Sequence, residues 1–231
     1  VSALVLKDSC ILGSFVQGSS RSNVAILGVA FVQNMYGAAG AAAIMVGIVV
    51  PLANVCSVLL LSVCGPRDTG ASGKQQLATA LRNVCKNPLI LSILLGMAVS
   101  FSGFQLPPIV AKTVGSVAAL ATPLSLIVLG AGFGGREALK KWKPTAAASA
   151  IKLLALPALL LPMALLLGFR GQELASLVIM TGAPTAVSSY IMAQNMHNDA
   201  ELASSIVAAT TLLSSATLTF WIFLLKSLSF L

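Results

Sequence analysis

The sequence predicts an all-α polytopic membrane protein, and three observations predict it: composition, the spacing of the charges, and the punctuation between uncharged runs. Of its 231 residues 57% are apolar and 9% charged, against about 25% charged in a soluble domain. Uncharged runs of 45, 25, 23, 17, 25 and 24 residues follow Arg21, Lys86, Lys112, Lys152, Glu173 and Glu201. A membrane helix needs about 20 apolar residues, so these runs are spans and the first is a double. Glycine, proline and charge separate them. The runs are continuously apolar, whereas barrel strands alternate apolar with polar residues. A soluble enzyme, a nucleic-acid binder, a disulfide-stapled secreted domain and a β-barrel are excluded.

Taken in order, residues 1–6 are too few to span before Lys7-Asp8. They read as the tail of a helix in an N-terminally truncated chain. Complete spans are expected at 9–36, 38–63, 87–103, 108–133, 144–168, 174–196 and 200–225, seven and a part in all. A polar loop at 64–86 carries Arg67, Lys74, Arg82 and Lys86, and its 74–86 part is expected as a surface helix. A second basic loop at 134–143 carries Arg136, Lys140, Lys141 and Lys143. Basic clusters beside spans mark cytoplasmic loops, so the net charge of +8 is a topology signal. Both loops fall inside, the short links at 37–38, 104–107 and 169–173 outside, and Lys112 and Arg170 are exceptions. Cys10, Cys56, Cys64 and Cys85 show no CxxC spacing and read as small buried hydrophobes.

An internal repeat appears at an offset of 161. Gln33-Asn34-Met35 recurs as Gln194-Asn195-Met196, and Ala25, Ala39, Ala42, Val46 and Leu52 match Ala186, Ala200, Ala203, Val207 and Leu213. Five spans separate the copies, so the copies lie inverted, as in many transporters. Chance similarity of alanine-rich helices is the competing reading.

Both copies contain a span with a broken middle. One reads Gly18-Ser19-Ser20-Arg21-Ser22-Asn23, the other Thr181-Gly182-Ala183-Pro184-Thr185. Proline removes a backbone donor and clashes with the preceding turn, and glycine loosens the same stretch. The offset places Asn23 on Pro184. A break at mid-membrane leaves N–H groups that hydrocarbon cannot satisfy, and a half-helix N-terminus suits an anion. The competing reading of Pro184 is a plain kink.

Arg21 is the costliest residue, at roughly 2.5–3.5 kcal/mol near a bilayer centre. No Asp or Glu lies in an expected span to pair with it. Its planar fork suits a carboxylate, although a break nearer the cytoplasm would let it snorkel. Substrate-binding candidates are thus Arg21, Ser22, Asn23, Gly182, Pro184, Thr185 and Ser188, with Asn23 also a candidate cap. Lys152 is a minor candidate and reads more readily as a snorkelling or structural lysine. Asp8, Asp68, Glu137, Glu173, Asp199 and Glu201 all fall in links or at span ends, and His197 reads as a surface residue. HExxH, GxSxG, P-loop and paired intramembrane aspartates are absent, so catalysis and a cofactor are not expected. The glycines at 130–135 read as a helix end.

These residues resemble the auxin efflux carrier family of membrane transporters, including its bacterial organic-acid permeases. The segment from Gly182 to Gln194, followed by Asp199-Ala200-Glu201-Leu202-Ala203, is similar to the family's second crossover helix and the start of its last span. Ser20-Arg21-Ser22-Asn23 resembles the first crossover, where R-x-N is usually followed by G-L-P; here Gly28 is followed by Val29-Ala30. The start of a span at Asn87-Pro88 and Lys152-Leu153-Leu154-Ala155-Leu156-Pro157 are similar too. The resemblance implies ten spans in two inverted repeats of five, with two broken crossover helices, a support domain and elevator-like alternating access. Residues 1–63 would end the first repeat, 64–86 form a cytoplasmic loop, and 87–231 form the second repeat. It implies a small organic anion as substrate, such as auxin, malate or malonate, and a multi-pass place in the bacterial inner membrane. The lipid bilayer is then the main partner, nucleic acid is not one, and a homodimer is compatible. A membrane sensor or assembly partner on the same fold and a sodium-coupled bile-acid-type carrier are the alternatives.

Overall fold

The computed structural model describes residues 9–24, 28–37, 40–65, 82, 85–86, 88–103, 105–132 and 140–231. The expected partial span at 1–6, most of the 64–86 loop with its surface helix, and most of the second basic loop lie outside the described residues. Those described form α1 (Ser9–Ser20), α2 (Val29–Tyr36), α3 (Gly40–Cys64), α4 (Pro88–Phe101) and α5 (Pro108–Ala131). Next, α6 (Trp142–Ala150) runs through a π-helical turn (Ile151–Ala155) into α7 (Leu156–Leu166). The chain ends with α8 (Gly171–Gly182), α9 (Ser188–Asn195) and α10 (Ala200–Ser227). The chain is an all-α polytopic membrane protein. Among the described residues four helical stretches are long and apolar enough to cross a bilayer: Ile44–Cys64, Pro108–Ala131, Trp142–Leu166 and Ala200–Ser227.

The two spans expected to break in the middle do so. Those at 9–36 and 174–196 are each two half-helices, α1 with α2 and α8 with α9. The span expected at 87–103 is described from residue 88 on, where residues 88–101 form α4; residues 85–86 are helical as well. Turn residues follow α4, and Gly103 takes a left-handed φ of 66°, which a glycine accepts without steric cost.

End contacts fix the directions. Cys10 at the start of α1 lies beside Asp199, whose N–H faces the Cys10 carbonyl at 3.5 Å. Asp199 caps α10 by accepting from the Leu202 N–H at 2.9 Å, as an N-cap aspartate does. Its carboxylate also holds Lys141, which precedes α6, at 2.7 Å. At the other end the Gly171 N–H donates to the Phe230 carbonyl at 3.1 Å, and the Arg170 guanidinium lies 4.9 Å from the Phe230 ring centre. Helix α1 therefore starts at the Asp199 end and α8 at the Phe230 end. The two broken spans run antiparallel.

Helix α10 is the central strut, packed on α1, α6, the π turn, α8 and α9. Lipid is as apolar as leucine, so close backbone approach through small residues takes over from the hydrophobic effect. A Cβ on Gly18 would stand 2.8 Å from Ile206 Cδ1, and one on Gly13 would stand 2.6 Å from Asn198 Oδ1. Phe15, Ala148, Leu202 and Ile206 form the buried seam joining α1, α6 and α10. By contrast, α4 and α5 are peripheral: α4 packs chiefly on α3 and α5 chiefly on α9. The four cysteines are unbridged. Cys64 is buried as expected and Cys10 half-buried, whereas Cys56 and Cys85 are exposed.

Candidate functional site

The breaks meet. The Asn23 N–H donates to the Pro184 carbonyl at 2.8 Å, so the pair aligned by the offset of 161 is hydrogen-bonded across the crossing. Hydroxyls cap it reciprocally. Ser22 Oγ, just after the first break, donates to the Met180 carbonyl near the end of α8 at 2.5 Å. Thr185 Oγ1, just after the second, donates to the Gly18 carbonyl near the end of α1 at 2.6 Å. The Thr185 N–H donates in turn to Thr210 Oγ1 on α10 at 3.1 Å. Orphan groups of each half-helix, for which hydrocarbon offers no partner, are thus answered by the opposite broken span or by α10.

Beside the crossing lies a cavity of about 340 Å³. Its polar wall is Ser20, Arg21, Ser22, Lys152 and Thr181; its apolar wall comes from Val24, just after the first break, and from α3, α7 and α8. Ser20 ends α1, and Met180 and Thr181 lie in the last turn of α8. The cavity therefore faces the carbonyl ends of both first halves, where the dipole is negative. Arg21, Ser22 and Val24, which follow the first break toward its second half-helix, line it as well. Asn23, Gly182, Pro184, Thr185 and Ser188 form the crossing and lie outside the cavity lining. Thr185 is 1% exposed with N–H and hydroxyl engaged.

Arg21 is buried. One terminal nitrogen donates to Asn54 Oδ1 and the other to Met192 Sδ at 2.7 Å. Both acceptors are neutral, so they orient the guanidinium without cancelling its charge. Two of its five N–H donors are engaged by these bonds. The sequence reading missed both partners. Asn54, a polar amide three residues after Pro51 in the 45-residue uncharged run, is the signal that would have found one. Met192 offered none, since a buried methionine in a helix reads as packing.

Lys152 is fully buried, and its ammonium stands in the cavity wall, in keeping with a structural lysine. Nζ donates to Ser22 Oγ at 2.5 Å and to the Thr181 carbonyl at 2.6 Å. One of its three donors remains for the cavity. Pro157 explains the placement. Without an N–H, proline leaves the carbonyl four residues back unpaired, and that carbonyl, Leu153, accepts from Trp221 Nε1 of α10 at 3.0 Å. The π turn immediately before Pro157 carries Lys152, an arrangement frequent at functional sites.

Two buried cations thus line one cavity, and no carboxylate is among its described lining residues. Ions so placed in a membrane protein face a partner or a pathway. A membrane transport protein family model matches residues 12–222. No significant match occurs among curated proteins. The match spans almost the whole chain, over helices, crossing and cavity alike, and the chain belongs to the membrane transport protein family, that of the auxin efflux carriers.

Proposed function

We propose that the protein is a secondary transporter that moves a small organic anion by alternating access, the anion binding in the cavity between Arg21 and Lys152. The observation that carries this reading is the pair of buried cations without an acidic partner among the lining residues. An anion would complete their charge balance, Arg21 presenting a planar fork and Lys152 its third N–H. A volume of about 340 Å³ suits a small carboxylate. Asn23, Gly182, Pro184, Thr185 and Ser188 then serve as the rigid crossing that holds Ser22 and both cations in place.

An elevator motion is supported by the packing. Helices α1, α6 to α8 and α10 surround the crossing, whereas among the described residues α4 and α5 each touch the rest chiefly through one helix. Sliding between those groups would disturb few contacts. Resemblance to the bacterial organic-acid permeases supports malate- or malonate-type substrates and an inner-membrane location.

The test is flux into proteoliposomes containing the purified chain, across a panel of mono- and dicarboxylates, with and without an imposed potential. Saturable uptake of at least one small carboxylate, lost in Arg21→Ala, is expected. Saturable binding without flux would replace the transporter with a sensor.

A further inference from the structure

The Lys152 ammonium sits at the carbonyl end of α8. Helix α8 stops in mid-chain, and its last turn presents carbonyls that need donors or a positive charge. The Ile179 carbonyl accepts from the Ala183 N–H at 2.8 Å, and the Met180 carbonyl from Ser22 Oγ at 2.5 Å. The Thr181 carbonyl accepts from Lys152 Nζ at 2.6 Å. Ser22 Oγ, its proton committed to Met180, has lone pairs left for the ammonium at 2.5 Å. Interrupted membrane helices use these groups, carbonyl ends and hydroxyls, to coordinate small monovalent cations.

We infer that Lys152 is a tethered cation filling a pre-formed monovalent-cation site made by the Thr181 carbonyl and Ser22 Oγ, so that the carrier holds covalently the positive charge that other carriers recruit from solution. The inference deepens the transport reading and rests on it for its meaning in the cycle. A charge that never leaves cannot couple flux to a sodium gradient. The anion meets the same +1 charge in every turnover, and sodium is not needed to assemble the site. Lys152 acts here by positioning charge and carbonyls beside the substrate cavity.

The consequence is specific. Truncating the side chain in Lys152→Ala leaves the Thr181 carbonyl and Ser22 oxygen facing a vacated space of ammonium size. That space should accept sodium or methylammonium and reject choline, which is too large. Thermal unfolding of the full chain in detergent is measured in sodium, methylammonium and choline chloride at equal ionic strength. Wild type is expected to unfold at one temperature in all three. Lys152→Ala is expected to unfold about 3–5 °C higher in sodium or methylammonium than in choline, the size of shift that ligand linkage gives at saturating ion. Adding Ser22→Ala should abolish that difference. If Lys152→Ala cannot be purified in choline, its recovery in methylammonium or sodium supports the site, and failure in all three overturns it. A folded Lys152→Ala indifferent to the ion, or a wild type stabilised by sodium, also overturns it. The readout needs no substrate. Ion rescue without carboxylate flux would sink the transport reading alone, and flux without ion rescue would sink this inference alone.

Discussion

The Asn23 N–H and the Pro184 carbonyl meet at 2.8 Å across 161 positions of sequence, joining the two broken spans at the point where each has lost its helix. Around that bond, Ser22 and Thr185 exchange caps, each closing a carbonyl of the other's preceding half-helix. Two interrupted helices would individually be unstable in hydrocarbon, since every unpaired backbone group there costs several kcal/mol. Crossed, each answers needs that the other creates. The cavity follows from this geometry: antiparallel crossing brings the carbonyl ends of α1 and α8 to its wall, and Arg21 and Lys152 stand at those ends.

The guanidinium of Arg21 is oriented by Asn54 and Met192, so charge and geometry can be separated by substitution. Arg21→Ala should lower carboxylate flux at least about tenfold, equivalent to about 1.4 kcal/mol, with membrane insertion unchanged. Arg21→Lys keeps the charge but loses the fork and should retain partial flux with a raised KM. Asn54→Leu should raise KM through misorientation. Wild-type KM in all three would remove Arg21 from the site.

The reciprocal caps predict a pair of stability losses. Thr185→Val keeps shape but leaves the Gly18 carbonyl unpaired, and Ser22→Ala does the same to Met180. An unsatisfied buried acceptor costs about 1–3 kcal/mol. Each variant should unfold earlier in detergent than wild type. The two should be coupled in a double-mutant cycle, since both act on one crossing. Additive losses would mean that the caps are independent.

Close approach at Gly18 makes a further prediction. An added Cβ would stand 2.8 Å from Ile206 Cδ1, and overpacking of this kind costs about 1–3 kcal/mol. That exceeds the gain of about 1 kcal/mol in helix propensity from Gly to Ala, so Gly18→Ala should destabilise. Ile206→Val removes the clashing methyl and should recover part of the loss in the double variant, read as thermal unfolding in detergent.

At the membrane surface, Lys141 lies 2.7 Å from Asp199 and 3.3 Å from Glu201. Partial burial alone would lower its pKa; hydrogen bonds and charges from Asp199 and Glu201 outweigh this and raise it above 10.5. A raised folded-state pKa stabilises below the unfolded value, and the contribution is lost as pH climbs through the folded one. Lys141→Met should therefore cost about 0.5–1 kcal/mol at constant value across neutral pH. High salt should shrink the difference, because the Lys141 ammonium is only partly buried and mobile ions screen such pairs. A loss confined to acid pH would contradict the pairing.

Much of this architecture was readable because the bilayer imposes simple rules. Uncharged runs located the helices, and Gly182-Ala183-Pro184 located a break because proline and glycine act locally. The offset of 161 aligns Asn23 with Pro184, the pair that meets in the structure. What the sequence hid depends on rotation about helix axes. The sequence leaves Lys152 open between a snorkelling and a structural lysine, and the π turn that aims it is not legible there; Asn54 and Met192 acquire meaning only when α3 and α9 bring them to Arg21. Polarity of the cavity was also hidden. Which helix ends face a cavity depends on how the two spans cross.

Trp221, Leu153 and Pro157 form a linked set that ties stability to the aim of Lys152. Pro157 frees the Leu153 carbonyl, and Trp221 Nε1 takes it at 3.0 Å. Trp221→Phe keeps a ring in place but strands that carbonyl, a loss of about 1–3 kcal/mol. Pro157→Ala supplies an N–H four residues after Leu153, the normal helical donor. In the double variant this donor should take over the carbonyl and recover much of the lost stability. Flux should behave differently. With an ordinary helical turn at 151–155, Lys152 would rotate away from Ser22 and Thr181, since each residue of register turns the helix by about 100°. The double variant should thus be stable but poor in carboxylate flux, with proteoliposome uptake at least about tenfold below wild type. Full flux in a stable double variant would show that the π turn is packing detail and not what aims Lys152.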